Sequence, residues 1–277
     1  MLRQPAVAGR FYPNDPRELE ERVRSFVVGA AEDGRSNARK EDKRSVLACM
    51  VPHAGYVFSG AVAGAVYARL DFPERVIVLG PRHRPRGADL AINIEGAWQT
   101  PMGRLEIDSE LARGLVTEDS LLQNDDVAHR IEHSLEVQLP FLQICAPQSR
   151  FVPIAVGTLD FAVLAELGHA IARAIAKVKK PVLLVCSSDM NHYERDEITR
   201  AKDHLAIEQL LALNPRGLYE VVRRENITMC GCGPAITTLT AALDLGSTRG
   251  ELVRYATSGD VLGDRDDVVG YAGMIFR

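Results

Sequence analysis

No apolar run in this 277-residue chain approaches the roughly 18 residues a membrane span requires. The amino terminus, Met1-Leu2-Arg3-Gln4-Pro5, lacks the apolar stretch of a secretory signal, so the expected location is the cytoplasm. Charge of neither sign dominates. A formal net charge of -4 leaves no basic footprint for nucleic acid or an anionic membrane, and neither is an expected partner. The five cysteines, Cys49, Cys145, Cys186, Cys230 and Cys232, are odd in number and irregularly spaced, which does not describe a disulfide framework. Cys49 and Cys186 sit inside apolar runs and read as small core residues. Neither G-x-G-x-x-G nor a P-loop follows the first expected strand, so nucleotide binding has no support. There is no internal repeat and no low-complexity tract.

What is present is the balance of an ordinary globular protein, 46% hydrophobic and 25% charged, at a length near the upper limit for one core. A single domain over 1–277 is expected. Asn14-Asp15-Pro16 reads as a helix cap followed by proline in the first turn, and Leu19, Val23, Phe26 and Val27 lie on one helical face. Residues 31–45, dense in charge and containing Gly34, Ser36 and Asn37, read as a surface loop. Strands are then expected at 46–51, 76–79, 90–94, 104–107, 151–156, 182–186, 251–257 and 268–276. Helices are expected at 59–70, after Ser109, and at 132–143, 160–177, about 195–213 and 234–245. Several strands are apolar throughout, as they are when helices cover both faces of a sheet. The alternation predicts an α/β fold: a three-layer α/β/α sandwich around a central, mostly parallel or mixed sheet.

Three of these strands end alike. Val46–Val51 runs into Pro52-His53-Ala54-Gly55-Tyr56, Val76–Leu79 into Gly80-Pro81-Arg82-His83, and Val182–Cys186 into Ser187-Ser188-Asp189-Met190-Asn191-His192. Ligands of open α/β sheets bind beyond the carboxyl ends of the strands. If these strands are parallel neighbours, His53, His83 and His192 share one rim. A single loop histidine is usually just bonded to backbone, but three at three strand ends point to a shared site. Met229-Cys230-Gly231-Cys232-Gly233-Pro234 precedes an expected helix, where the dipole favours a thiolate and hence a metal ligand; a glycine-rich turn with incidental cysteines is the alternative. His129-Arg130-Ile131-Glu132-His133 matches H-x-x-E-H, the inverted zinc-peptidase motif, with Glu132 as its general base. On a helix, His133 and Glu136 would also share a face. Arg82, Arg84 and Arg86 flank His83 and are candidates for attracting a carboxylate or phosphate.

Several of these segments resemble the Memo-like family, known in bacteria and archaea as AmmeMemoRadiSam system protein B. They are Arg3-Gln4-Pro5-Ala6-Val7-Ala8-Gly9-Arg10-Phe11-Tyr12-Pro13, Val51-Pro52-His53-Ala54-Gly55-Tyr56, Glu132-His133-Ser134-Leu135-Glu136, Ser187-Ser188-Asp189 with His192, Ser258-Gly259-Asp260, and Val268-Val269-Gly270-Tyr271. The resemblance runs in the same order over nearly the whole chain. It implies a fold similar to the catalytic subunit of class III extradiol dioxygenases, which use non-haem iron. It also implies His53, His83 and Cys230 as metal ligands, with His133, Asp189 and His192 lining the same pocket as catalytic candidates. Those dioxygenases complete their ligand set with a carboxylate; a thiol here favours copper or zinc over iron, and the part played by Cys232 stays open. The family name hints at a pathway link to a radical S-adenosylmethionine protein. The expected function is metal binding with iron- or copper-dependent, dioxygenase-like redox activity. The alternatives are a non-catalytic module for an anionic peptide or small ligand, and a zinc peptidase using His129, Glu132 and His133.

Overall fold

The computed structural model describes residues 1–32 and 46–277; the expected surface loop at 31–45 lies almost entirely outside the described residues. The strands are β1 (Leu2–Arg3), β2 (Ala48–Val51), β3 (Arg75–Pro81), β4 (Leu90–Ile92), β5 (Ala97–Thr100), β6 (Gly103–Glu106), β7 (Gln123–Asn124), β8 (Arg150–Val156), β9 (Val182–Ser187), β10 (His192–Glu194), β11 (Gly250–Thr257) and β12 (Val268–Phe276). The helices are α1 (Pro16–Glu32), α2 (Tyr56–Tyr67), α3 (Ser109–Glu118), α4 (Asp126–His129), α5 (Leu139–Cys145), α6 (Phe161–Lys177), α7 (Asp196–Leu211), α8 (Pro215–Arg224), α9 (Cys232–Asp244) and α10 (Gly259–Leu262). Asp15 caps α1, its Oδ1 accepting from the backbone N–H groups of Arg17 and Glu18 at 2.9 and 3.0 Å.

Nine strands form one mixed sheet in the order β10-β12-β2-β9-β3-β8-β4-β7, with β11 added on β12; β1, β5 and β6 make a separate small sheet. The central strands β2, β9, β3 and β8 are mutually parallel, and antiparallel pairings lie outside them. Every residue of β2 and β9 is buried, because helices cover both faces. Helix α2 packs on β2, β11 and β12 with α1 outside it, whereas α9 packs on β2, β3 and β9 beside α6, and α7 on β11 and β12. Glycines of β12 mark the two faces. A Cβ at Gly273 would strike Val62 and Val66 of α2, and one at Gly270 would strike Asp203 of α7. Three residues apart on a strand, they point to opposite sides.

Register brings the ends of β2, β9 and β3 level, with Val51 beside Ser187 and Leu79 beside Cys186. The segments carrying His53, Asp189 and His83 therefore leave the sheet at one rim.

The expected helix over 132–143 is not continuous. Residues 130–135 form a turn, a short 3-10 turn spans Glu136–Gln138, and α5 starts only at Leu139. Pro140 is the reason: it has no N–H to donate to the carbonyl of Glu136, and it is at home in a helix's first turn. His133 and Glu136 accordingly part company. Glu136 is fully buried, accepting from Arg3 Nη1 (2.7 Å), the backbone N–H groups of Ala6 and Val7, and the Tyr12 hydroxyl (2.6 Å). Arg3 also donates to the carbonyls of His129 and Glu132, both at 2.7 Å. This buried pair clamps the amino-terminal segment, which carries Phe11, onto the turn that carries His133. Arg3→Met is expected to lower stability by about 3–5 kcal/mol, since it strands a buried carboxylate. Urea denaturation followed by circular dichroism measures this, and a loss below about 1 kcal/mol, the range of an exposed pair, would contradict the clamp.

Candidate metal centre

At the rim, the imidazoles of His53, His83 and His133 converge, each offering a donor atom within 4.8 Å of the others. Ring centroids lie 5.2 Å (His53–His83), 5.5 Å (His53–His133) and 4.5 Å (His83–His133) apart. His53 comes from the segment after β2, His83 from the loop after β3, and His133 from the turn before α5. The three belong to a cavity of about 680 Å³ that is also lined by Asp189, His192 and Cys230, with Phe11, Phe58, Tyr193 and Tyr271 contributing rings. The rim expected from topology therefore exists, and His192 stands on it. Another hollow, around Phe72 and Ile175, contains neither histidine nor cysteine.

The backs of two imidazoles are tied so that their tautomers follow. Glu132 is buried and accepts from the His83 backbone N–H (2.6 Å), from His83 Nδ1 (2.9 Å) and from the Ser134 N–H (2.8 Å). Burial opposes its ionisation, but the His83 hydrogen bond and the neighbouring imidazoles outweigh that and hold the carboxyl at about 2. An ionised carboxylate only accepts, so Nδ1 of His83 carries a proton, and the neutral ring is the tautomer that leaves Nε2 free for an ion. His53 Nδ1 lies 2.9 Å from Ser187 Oγ, whose single proton goes to the Ser134 carbonyl at 2.6 Å. Ser187 must therefore accept from His53, which again leaves Nε2 free. His192 repeats the pattern, its Nδ1 being 3.0 Å from the Thr228 carbonyl.

The free Nε2 of His53 meets Cys230 Sγ at 3.2 Å and Asp189 Oδ2 at 4.0 Å. Asp189 Oδ1 accepts from the backbone N–H groups of His53 (2.7 Å) and Ala54 (3.3 Å). Burial raises the Asp189 carboxyl to about 6 despite those bonds. Burial, then the charge of Asp189, pushes the Cys230 thiol up. Burial also drives His53 well below its ordinary value and His133 to about 4, so both imidazoles are neutral near pH 7.

These features fit a transition-metal ion. Neutral imidazole nitrogen is its commonest protein donor. Two donors on one zinc-like ion lie about 3.3–3.6 Å apart, given bond lengths near 2.0–2.3 Å. The His53–Cys230 separation is already close to that, and the histidines need only small side-chain shifts.

The same geometry separates the remaining candidates. Cys232 is buried in the hydrophobic core at the start of α9. His129 is buried edge-on against Trp98, 5.4 Å between centroids. His129 is thus turned to Trp98 while His133 joins the rim, and both Glu132 oxygens are engaged, so the H-x-x-E-H segment does not have the form of an inverted zinc-peptidase site. Arg82 is committed to the Gly87 carbonyl and Asp89, which removes it as an anion-binding candidate; Arg84 and Arg86 are exposed. The roles of Ser187 and Thr228 as acceptors behind the imidazoles carry no signal in the sequence, because each acts through an atom every serine or backbone has.

The sequence profile described as Memo-like protein matches residues 3–275. A MEMO1 family protein of Methanopyrus kandleri is 42% identical over 281 aligned positions, covering 100% of this chain and 99% of its own. MEMO1 family proteins of Methanosarcina barkeri (42%) and Aquifex aeolicus (40%) each cover 99% of both chains. Among solved structures, an uncharacterized protein of Escherichia coli K12 matches with a TM-score of 0.52 at 12% identity, covering 82% of this chain and 99% of its own; that likeness concerns the fold alone.

Imidazole-resolved ¹⁵N NMR of the metal-free protein is expected to show His53 and His83 as Nδ1–H tautomers. On acid titration His133 is expected to protonate only near pH 4. Nε2–H forms of His53 and His83, or an ordinary titration of His133 near 6.5, would contradict the hydrogen-bond assignment.

Proposed function

The chain belongs to the Memo-like family, and from that premise we propose that it binds one transition-metal ion at the histidine rim and uses it in redox chemistry on a small organic molecule. The observation that carries the proposal is the convergence of His53, His83 and His133 with the Nδ1 protons of His53 and His83 engaged from behind. Ligating histidines are typically held this way by a partner on the other ring nitrogen.

His53 and His83 are the proposed core of the ligand set. Two groups compete for the third place: His133, which shares the cluster, and Cys230, which the family resemblance implies and whose Sγ sits 3.2 Å from His53 Nε2. A bound iron or copper ion would supply one-electron redox chemistry and polarise a coordinated oxygen. The chain's own groups handle the rest. Asp189, raised to about 6, is poised to take a proton near neutral pH. His192 offers a bare Nε2 to the cavity and is available as a second proton acceptor. Cavity volume favours a co-ligand, since an ion alone leaves most of about 680 Å³ unfilled.

The test is anaerobic metal titration with elemental analysis. Wild type is expected to hold one equivalent, and the His53→Ala/His83→Ala double variant none, with an unchanged circular dichroism spectrum. Third-ligand identity follows from single variants. Cys230→Ser is expected to weaken Cu(I) or Zn(II) by at least about tenfold, in line with loss of a soft donor, whereas Cys232→Ser retains most of the affinity. Equal affinity in wild type and double variant would remove the proposal.

A further inference from the structure

Three non-glycine residues among those described have positive φ: Tyr193 (59°), Leu213 (50°) and Asn226 (50°). Two have a local explanation. Leu213 follows the end of α7 and Asn226 the end of α8, where a left-handed residue commonly closes a helix. Tyr193 does not. It is the middle residue of β10, at an irregularity where His192 pairs with Val269 and Glu194 with Val268. That position suits glycine, and a tyrosine there strains the backbone.

The surroundings enforce the strain. The His192 N–H donates to Thr228 Oγ1 (2.7 Å), Asn191 Nδ2 to Glu194 Oε2 (2.6 Å), and the Met190 N–H to the Gly270 carbonyl (2.9 Å). The side chain gains little from packing in return. Tyr193 is 74% exposed, and its hydroxyl has no hydrogen-bond partner among the described residues. Its ring stands 5.5 Å from that of His192 and lines the histidine cavity, with Phe11, Phe58 and Tyr271 supplying further rings. A strained, largely exposed aromatic lining a cavity points to a ligand contact.

We propose that Tyr193 is a ligand-contacting residue that stacks on a flat aromatic ring of an organic molecule bound in the histidine-lined cavity. The inference rests on the reading that this cavity is the functional site but does not require the metal. An aromatic wall prefers a flat ring to a puckered one of similar size, because ring pairs gain an electrostatic term beyond area burial. The rim histidines and Asp189 supply polar contacts for a substituent on that ring.

The experiment uses the metal-free full chain, so that a failure of metal binding leaves this test standing. Benzoate and phenol are compared with their saturated counterparts, cyclohexanecarboxylate and cyclohexanol, by protein-observed NMR titration. The aromatic members are expected to bind at least about fivefold more tightly than the saturated ones. Tyr193→Gly, which relieves the backbone, and Tyr193→Asn, which tolerates a left-handed conformation, are each expected to lose that preference. Tyr193→Phe is expected to keep it. Melting temperatures of the glycine and asparagine variants are expected to hold or rise. No preference for aromatic rings in wild type, an unchanged preference in both variants, or a fall of more than about 4 °C in both, the size of a lost structural contact, would each overturn the proposal.

Discussion

Glu132 holds the site together. Its carboxylate is buried, stays ionised, and joins two parts of the chain: the loop after β3, through both the N–H and the ring of His83, and the turn before α5, through the Ser134 N–H; the Ser134 hydroxyl adds a bond to the Pro81 carbonyl at 2.9 Å. A buried carboxylate persists only when its acceptor positions are filled. Once they are, the same bonds settle which way His83 faces and which of its nitrogens is free. The second buried carboxylate of the turn, Glu136, performs a purely mechanical task by fastening the amino-terminal segment through Arg3 and Tyr12. Two acids four residues apart thus do different work, one orienting a donor and the other locating the wall that carries Phe11.

Around this point the sheet and the loops divide the labour. Parallel strands β2, β9 and β3 end at one level and are apolar on both faces, so they carry no polar group of their own into the site except Ser187 at the last position. Chemistry is left to the residues just beyond. Burial there keeps His53 and His133 neutral and discourages ionisation of Asp189 and Cys230. The neutral imidazoles of His53 and His133 leave room for a cation without the repulsion that protonated rings would impose. The interior end of the cavity is therefore polar and tightly bonded, while its walls are aromatic.

Sequence alone revealed much of this arrangement because strand ends are marked by composition. Apolar runs giving way to Pro-His, Pro-Arg-His and Ser-Ser-Asp placed His53, His83 and His192 at one rim, and the level register of β2, β9 and β3 bears that out. The segment 130–145 was harder to read. Leu135, Leu139 and Leu142 have helical spacing, yet Pro140 forbids a helix running through from 132, and the resulting turn sends His133 to the rim and Glu136 to the core. Asn214-Pro215, which caps α8 through Asn214 Oδ1 and the Gly217 N–H, is a helix start of the same kind as Asn14-Asp15-Pro16, but no element was expected there, between the helices at about 195–213 and 234–245. The left-handed backbone at Tyr193 has no signature at all, because it is imposed by hydrogen bonds from Thr228 and Gly270, far away in the chain.

The most direct test of the account is anomalous diffraction from crystals grown with one equivalent of Fe(II), Cu(I) or Zn(II) under anaerobic conditions. The hydrogen bonds behind the rings predict a single ion bound by Nε2 of both His53 and His83, with Glu132 and Ser187 still bonded to their Nδ1 atoms and either His133 or Cys230 completing the set. An ion held through Nδ1 of either histidine, or one bound at full occupancy outside this cavity while the rim stays empty, would contradict it.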